Sequence, residues 1–320
     1  MDLDDIHRQA MNSARGADPA TDLARVDAPP AAGFSVMQGR LIIVAATILW
    51  SSNGLFAKST LFDVWPKEQR GLILAFWRAL FAGLFLVPFI RKPRFRVAQL
   101  PLWLVFTLMN ITFLSSMALT TTANTIWLQN TAPLWIFLVG TFALGHSVVR
   151  RDLVTLVFAV LGAGTIVFFE MQNSPAGELR GVWLGLASGF CFGMVVLCLG
   201  NLKHEDSAWV VASNHLVAAT VIGIMVLPLG IWPSGWQWPV LMGFGAIQMG
   251  LPYLLFGVAL RKVPSQEASG LCLLEPILSP VWVWLAWNEE PRWWTVVGAA
   301  LILAGLTVRY AWPTPREASV

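Results

Sequence analysis

The strongest constraint in this sequence is a succession of apolar runs, each about 20 residues long, with little chain between them. Twenty apolar residues in a helix span about 30 Å, the thickness of bilayer hydrocarbon. Such runs fall at roughly 41–62, 70–90, 98–119, 123–144, 149–169, 180–202, 207–231, 236–260, 265–287 and 293–311. A helix satisfies its own backbone in lipid, so the expected fold is an all-α integral membrane protein with ten transmembrane helices. Composition points the same way. Charged residues make up 12% of the 320, whereas soluble domains carry about 25%, and so few charges could not coat a water-soluble globule of this size. The short loops leave no room for an extramembrane catalytic domain.

Residues 1–37 are rich in Ala, Asp, Arg and Pro, lack hydrophobic periodicity and read as a disordered cytosolic tail, with a second tail at 312–320. The first apolar run has no small-residue cleavage site behind it and is interrupted by Ser51-Ser52-Asn53, so no cleaved signal peptide is expected. With the N-terminus in the cytosol, fifteen of the 21 Lys and Arg lie inside. Four (Lys67, Arg70, Arg180 and Arg292) lie outside, and Lys58 and Arg78 fall within spans. The positive-inside rule then places both termini in the cytosol, with the cell membrane, specifically a bacterial inner membrane, as the expected location. These loop charges also account for the net charge of +3, so the expected partners are the lipid bilayer and a small-molecule substrate, not nucleic acid. Cys191, Cys198 and Cys272 all lie in apolar runs without a C-x-x-C pair. There is no P-loop, H-E-x-x-H or dinucleotide fingerprint, so no metal, cofactor or ATP-driven step is expected.

A long repeat lies beneath the helices. Pro133 and Pro276, His146 and Glu289, and Gly162 and Gly305 are each separated by 143 residues, and Ala118-Leu119 recurs at Ala259-Leu260 with a shift of 141. Each copy holds five spans, an odd number, so the second must enter the membrane from the opposite side. Inverted repeats with interrupted helices are the architecture of secondary transporters. The expected units are 38–170 and 180–311.

Several strings carry a family resemblance: Tyr253-Leu-Leu-Phe-Gly-Val-Ala259-Leu260-Arg-Lys-Val-Pro264, Leu274-Glu275-Pro276, Glu289 and Gly298-Ala-Ala-Leu-Ile-Leu-Ala-Gly305. The first half adds Trp50, Phe76-Trp77-Arg78 and the series from Pro133 to Gly162. Over about residues 40–311 the chain resembles the EamA-type ten-helix transporters of the drug/metabolite transporter superfamily. It departs from them at His146, where that family often has a glutamate matching Glu289. The resemblance implies export or exchange of small metabolites by alternating access. Related carriers can pair, but no sequence feature decides whether this chain forms a homodimer.

The candidate site residues are the polar groups that the bilayer would reject. Glu275 lies near the middle of its span beside two prolines, Pro276 and Pro280, where a carboxylate costs at least about 2.5 kcal/mol to insert. It could bind a substrate amine or carry a coupling proton; a packing role is the plainer alternative. Arg78 could clamp a carboxylate bidentately or pair with Glu275. Trp50 and Trp77, next to Asn53 and Arg78 in sequence, could stack an aromatic or cationic substrate. Gln129 and Asn130 stand one turn before Pro133, and Gln248 and Tyr253 are further candidates for substrate contact, along with Asn53. His215 titrates near neutrality and joins Glu275 as a candidate for proton coupling. Lys58, near the outer end of its span, is expected to snorkel.

The coexistence of a deep acid and a deep base suits zwitterions such as amino acids, carried by a secondary active transporter, with proton coupling as an option. A carrier of cationic, quaternary or aromatic compounds is the alternative reading. An intramembrane enzyme would need paired acids, a metal set or a nucleophile triad, none of which is visible. A channel would reveal itself by ion currents far above carrier turnover.

Overall fold

A computed structural model describes residues 35–142, 150–202 and 204–311. Residues 1–34, the tail at 312–320 and His146 lie outside the described residues; positions 35–37, expected to end the first tail, instead cap and open the first helix. The chain is all-helical over the residues described: α1 Val36–Ser51, α2 Asn53–Ala57, α3 Lys67–Leu86, α4 Gln99–Leu119, α5 Thr122–Gln129, α6 Ala132–Phe142, α7 Arg150–Asn173, α8 Ala176–Leu199, α9 Ser207–Val226, α10 Gln237–Gly245, α11 Leu251–Ala259, α12 Ser265–Cys272, α13 Leu274–Trp287 and α14 Trp293–Ala311. A π-helical segment, Ala246–Gly250, joins α10 to α11. Eight stretches among the described residues are long and apolar enough to cross a membrane, and Trp293–Arg309 forms a shorter apolar helix. The ten expected runs thus appear as eight full-length spans, one short helix and the broken pair α5–α6, after which residues 143–149 are not described.

Helix ends follow local chemistry. Ser35 and Gln38 form a capping box at the start of α1, and Thr121 caps α5. Asp206 caps α9 by accepting from Ala208 N and Trp209 N, while its second oxygen accepts from Arg91 N and Lys92 N, 2.7 and 2.8 Å away. One acid thereby ties two loops to one helix start.

The helical boundaries recur along the chain. α3 and α9 are 20 residues each, start 140 positions apart, and both run into a three-residue 3-10 turn centred on proline, Pro88 or Pro228. α5 and α12 are eight residues each and start 143 positions apart, and each is followed by a break, at Asn130-Thr131 and at Leu273. Gln99 and Gln237 occupy equivalent places 138 positions apart. Each accepts at its side-chain oxygen from a backbone N–H three residues upstream, and each donates to the other half of the chain, to Ser213 or to the Leu61 carbonyl. The shift of 138 at these glutamines becomes 141 at Ala118 and Ala259, and a π-helical segment lies in the intervening stretch of the second half.

Packing pairs follow the same correspondence. α3 packs on α9 and α7 on α14, while α4 lies on α8 as α11 lies on α1. α7 and α14 run antiparallel with their backbones almost touching. A Cβ on Gly162 would sit 2.6 Å from the Gly298 carbonyl, and one on Gly298 would sit 2.6 Å from that of Gly162. Only glycine permits that approach, and lipid offers no hydrophobic drive, so close van der Waals contact has to hold such helices together.

Candidate functional site

The polar core of the molecule begins at Arg78. It sits in the middle of α3, 2% exposed. Gly245 lets α10 press against α3, since a Cβ there would lie 2.8 Å from the Arg78 carbonyl. That approach brings the ring of Phe244 to 5.3 Å from the guanidinium carbon, with Phe113 of α4 at 5.7 Å, both in cation–π range. Nη2 donates to Asn110 Oδ1 at 2.6 Å, and Asn110 in turn donates to the Phe106 carbonyl at 3.0 Å. Nε is buried with no partner.

His215 on α9 is fully buried, edge-on to Phe106 at 4.8 Å and 6.3 Å from the Tyr253 ring. Neither of its ring nitrogens has a partner. Tyr253 packs edge-on to Trp50 at 5.3 Å, and Phe256 adds a third ring at 5.5 Å from Trp50. Gln248, in the π-helical segment, donates from Nε2 to the Trp50 carbonyl at 2.9 Å, while its Oε1 is buried and unpartnered. Asn110 and Gln248 are themselves equivalent, 138 positions apart like Gln99 and Gln237.

Glu275 stands in the first turn of α13, just past the break at Leu273. Free backbone N–H groups and the positive end of the helix dipole favour an anion there. Its charge reaches Arg78, Tyr253 and Cys272. Among the described residues, no hydrogen bond or ion pair touches the carboxylate. The expected alternative of a direct Arg78–Glu275 ion pair is therefore corrected: Arg78 is bonded to Asn110 instead, and the two charges share a neighbourhood without meeting.

The remaining candidates sit elsewhere. Asn53 is buried at the start of α2 and accepts from Ser279 Oγ of α13 at 2.9 Å, which ties the two interrupted helices together. Asn130 is spent on its own helix end, donating to the Ile126 carbonyl at 2.8 Å. Gln129 is half-buried beside it, and no hydrogen bond or ring contact among the described residues joins either to Arg78. Trp77 is the neighbour of Arg78 in sequence but not in space. It packs among Phe76, Phe81, Trp232 and Trp238, because successive helix residues point about 100° apart. Lys58 does not snorkel. It pairs with Glu289 Oε2 at 2.8 Å and donates to the Thr120 carbonyl at 2.7 Å, and Glu289 Oε1 accepts from Thr122 N at 2.6 Å. This knot joins the end of α2, the end of α13 and the start of α5.

A carboxylate buried more deeply than Glu275 escaped the sequence reading. Glu170 of α7 is fully buried; Oε1 accepts from Asn124 Nδ2 and Trp294 Nε1, each at 2.9 Å, and Oε2 pairs with Arg292 at 2.6 Å and contacts Ser174. It falls just past the apolar run at 149–169, and Arg292 lies 122 positions away in sequence.

Comparison with known proteins agrees with this architecture. Residues 179–310 match the model of the EamA-like transporter family. An uncharacterised transporter of Archaeoglobus fulgidus is 22% identical over 86% of this chain and 96% of its own length. A threonine/homoserine exporter, RhtA, of Salmonella typhimurium is 29% identical over 75% of this chain and 80% of its own. A biotin transporter of Salmonella typhimurium is 21% identical over 87% and 95%. A solved crystal structure aligns with a TM-score of 0.56 at 19% identity, covering 88% of this chain and 99% of that one, which bears on the fold alone. Residues 179–310 thus carry an EamA-like transporter domain, and relatives that match along most of the chain are named as transporters, in agreement with the resemblance to the drug/metabolite transporter superfamily.

Proposed function

We propose that the chain is a secondary carrier of small zwitterions, amino acids foremost, built from ten spans in two inverted five-helix repeats covering 38–170 and 180–311. The observation that carries the substrate reading is the separated pair Arg78 and Glu275, a buried cation and an unpartnered carboxylate in one cluster, neither neutralised by the other. A zwitterion supplies the two missing charges together: its carboxylate faces the free edge of the guanidinium, its ammonium faces Glu275, and its net charge is zero, so the bilayer imposes no membrane-potential cost on the loaded carrier. The 29%-identical relative named as a threonine/homoserine exporter supports this class.

The repeat is supported by contacts that exchange under it. Gly162 meets Gly298, and Gly305 meets Thr155; a shift of 143 turns one contact into the other. A two-fold relation of this kind lets one half rock on the other, which is the basis of alternating access. The Lys58–Glu289–Thr122 knot closes the end of the bundle that the loop charges place outside, with both termini in the cytosol of a bacterial inner membrane. Glu275 exchanging a proton as the substrate ammonium leaves would couple transport to the proton gradient.

Trp50, Tyr253 and Phe256 favour a second reading, a carrier for larger ring-bearing carboxylates. The relative named as a biotin transporter points the same way. The full chain reconstituted in liposomes and loaded with unlabelled threonine should take up labelled threonine by counterflow, with biotin as the parallel substrate. Counterflow of biotin without that of any amino acid would overturn the zwitterion reading.

A further inference from the structure

Buried polar atoms without partners are rare in folded proteins, because each leaves a desolvation cost unanswered. Here several of them belong to one connected group: His215 Nδ1 and Nε2, Gln248 Oε1 and Arg78 Nε. Their side chains are at most 2% exposed. Phe106 touches His215, and its carbonyl accepts from Nδ2 of Asn110, whose Oδ1 holds Arg78. Tyr253 bridges His215 to Trp50, whose carbonyl Gln248 holds. The groups facing this cluster are Arg78 from α3, the neutral Tyr253 phenol from α11 and Glu275 from α13; the charges of Arg78 and Glu275 reach each other, and the Arg78 charge also reaches His215.

Each orphan differs in what it asks for. A neutral imidazole offers one donor and one acceptor, the Gln248 oxygen only accepts, and Arg78 Nε only donates. Gln248 cannot turn its amide to satisfy Oε1 without giving up the Trp50 carbonyl, which fixes the oxygen as the free end. With the charges of a zwitterion answered by Arg78 and Glu275, Gln248 Oε1 and the His215 nitrogens remain, linked through Tyr253 and Trp50, and together they call for a small group that both donates and accepts. A hydroxyl does so, and a methyl does not.

We propose that Gln248 and His215 form a side-chain subsite that selects amino acids bearing a hydroxyl over apolar isosteres. This inference rests on the zwitterion reading above. It moves His215 from proton coupling to substrate recognition. The π-helical segment is then the specificity element: it sets α10–α11 apart from the regular α4, and it carries Gln248, 138 positions after Asn110, which holds Arg78. The two equivalent amides thus serve opposite ends of one substrate.

Threonine and valine have nearly the same shape and differ by hydroxyl against methyl, which makes them the probes. Purified full-length protein should be stabilised thermally by threonine at concentrations at least about tenfold below those valine needs, and counterflow should show the same ratio, since a site built to hydrogen-bond a hydroxyl strongly rejects the analogue lacking it. In Gln248→Met and in His215→Phe the ratio should fall toward one while valine still binds. If valine and threonine bind wild type equally, the subsite is wrong and the zwitterion reading stands. If neither binds, nor any other amino acid, the zwitterion reading fails and takes the subsite with it. If both variants keep the wild-type ratio, other residues read the hydroxyl and the proposal is overturned; wild-type competition alone decides the matter if both variants fail to fold.

Discussion

Two regions of this molecule place a carboxylate and a guanidinium inside the helix bundle, and they handle them in opposite ways. At Glu170, each oxygen has two partners: Asn124 and Trp294 on one, Arg292 and Ser174 on the other. At Glu275 there is no hydrogen bond or ion pair among the described residues, and Arg78, which its charge reaches, is tied to Asn110. A saturated network resists rearrangement, because any movement exposes a buried charge to apolar surroundings. An unsaturated one keeps its capacity for a ligand. Residue type and burial are therefore poor guides to function in a membrane bundle; whether a group's hydrogen bonds and charge are already answered is the better guide.

The largest expected effect would break the saturated side. Arg292→Ala leaves Glu170 buried and uncompensated and should cost about 3–5 kcal/mol, read as a large fall in melting temperature in detergent. A melting temperature unchanged from wild type would remove the structural reading of that network. The next sharpens the other side. Glu275→Gln should leave thermal stability within about 1 kcal/mol of wild type, since no bond is lost, while counterflow of zwitterions drops at least about tenfold. A variant that melts early and transports normally would reverse the contrast between the two acids.

The Lys58–Glu289 knot lies between these extremes, half-buried and joining three helix ends. Lys58→Gln should cost about 1 kcal/mol and raise the labelling rate of a cysteine placed at Ser52 by an impermeant reagent added from outside. Labelling that stays at the wild-type rate would count against a gate at that end. The smallest effect belongs to Asp206. Burial opposes its ionisation, but four backbone donors, from Lys92, Arg91, Trp209 and Ala208, outweigh this and lower its pKa below the ordinary 3.8. A lowered folded-state pKa means that the charged form adds stability above about pH 4, and that this is lost as pH falls through the folded value. Asp206→Asn should be about 0.5 kcal/mol less stable at pH 7, and the gap from wild type should close as pH falls through the lowered folded value. A gap that persists in acid would show that the side chain acts by shape and not by charge.

Much of the helical frame was legible because its cause is local. Apolar length fixes which segments cross the bilayer, and caps such as Ser35 and Asp206 fix where helices start. The break after α12 announced itself through Glu275-Pro276 and Pro280, and its partner after α5 through Pro133. Glu275 and Arg78 stood out because lipid rejects charge. The Glu170–Arg292 pair did not, since an acid near the end of an apolar run and an arginine in a loop look ordinary until 122 positions of chain are folded together. The readings of Trp77 and Lys58 went astray for a related reason: adjacency along a helix is not adjacency in space, and a lysine near a helix end snorkels only when no carboxylate faces it.

Taken alone, the sequence determined that this chain lives in a membrane, that several of its residues recur at a shift of 143, and that a few polar groups fall within apolar runs at a cost. These are consequences of composition and spacing, which act along the chain. The tertiary structure decided which of those polar groups are already satisfied. Asn110 was one amide among several until it was found holding Arg78, and Gln248 was another until its amide was found pinned to the Trp50 carbonyl with its oxygen free. Hydrogen-bond satisfaction depends on ångström distances between residues far apart in sequence, and no one-dimensional pattern encodes that.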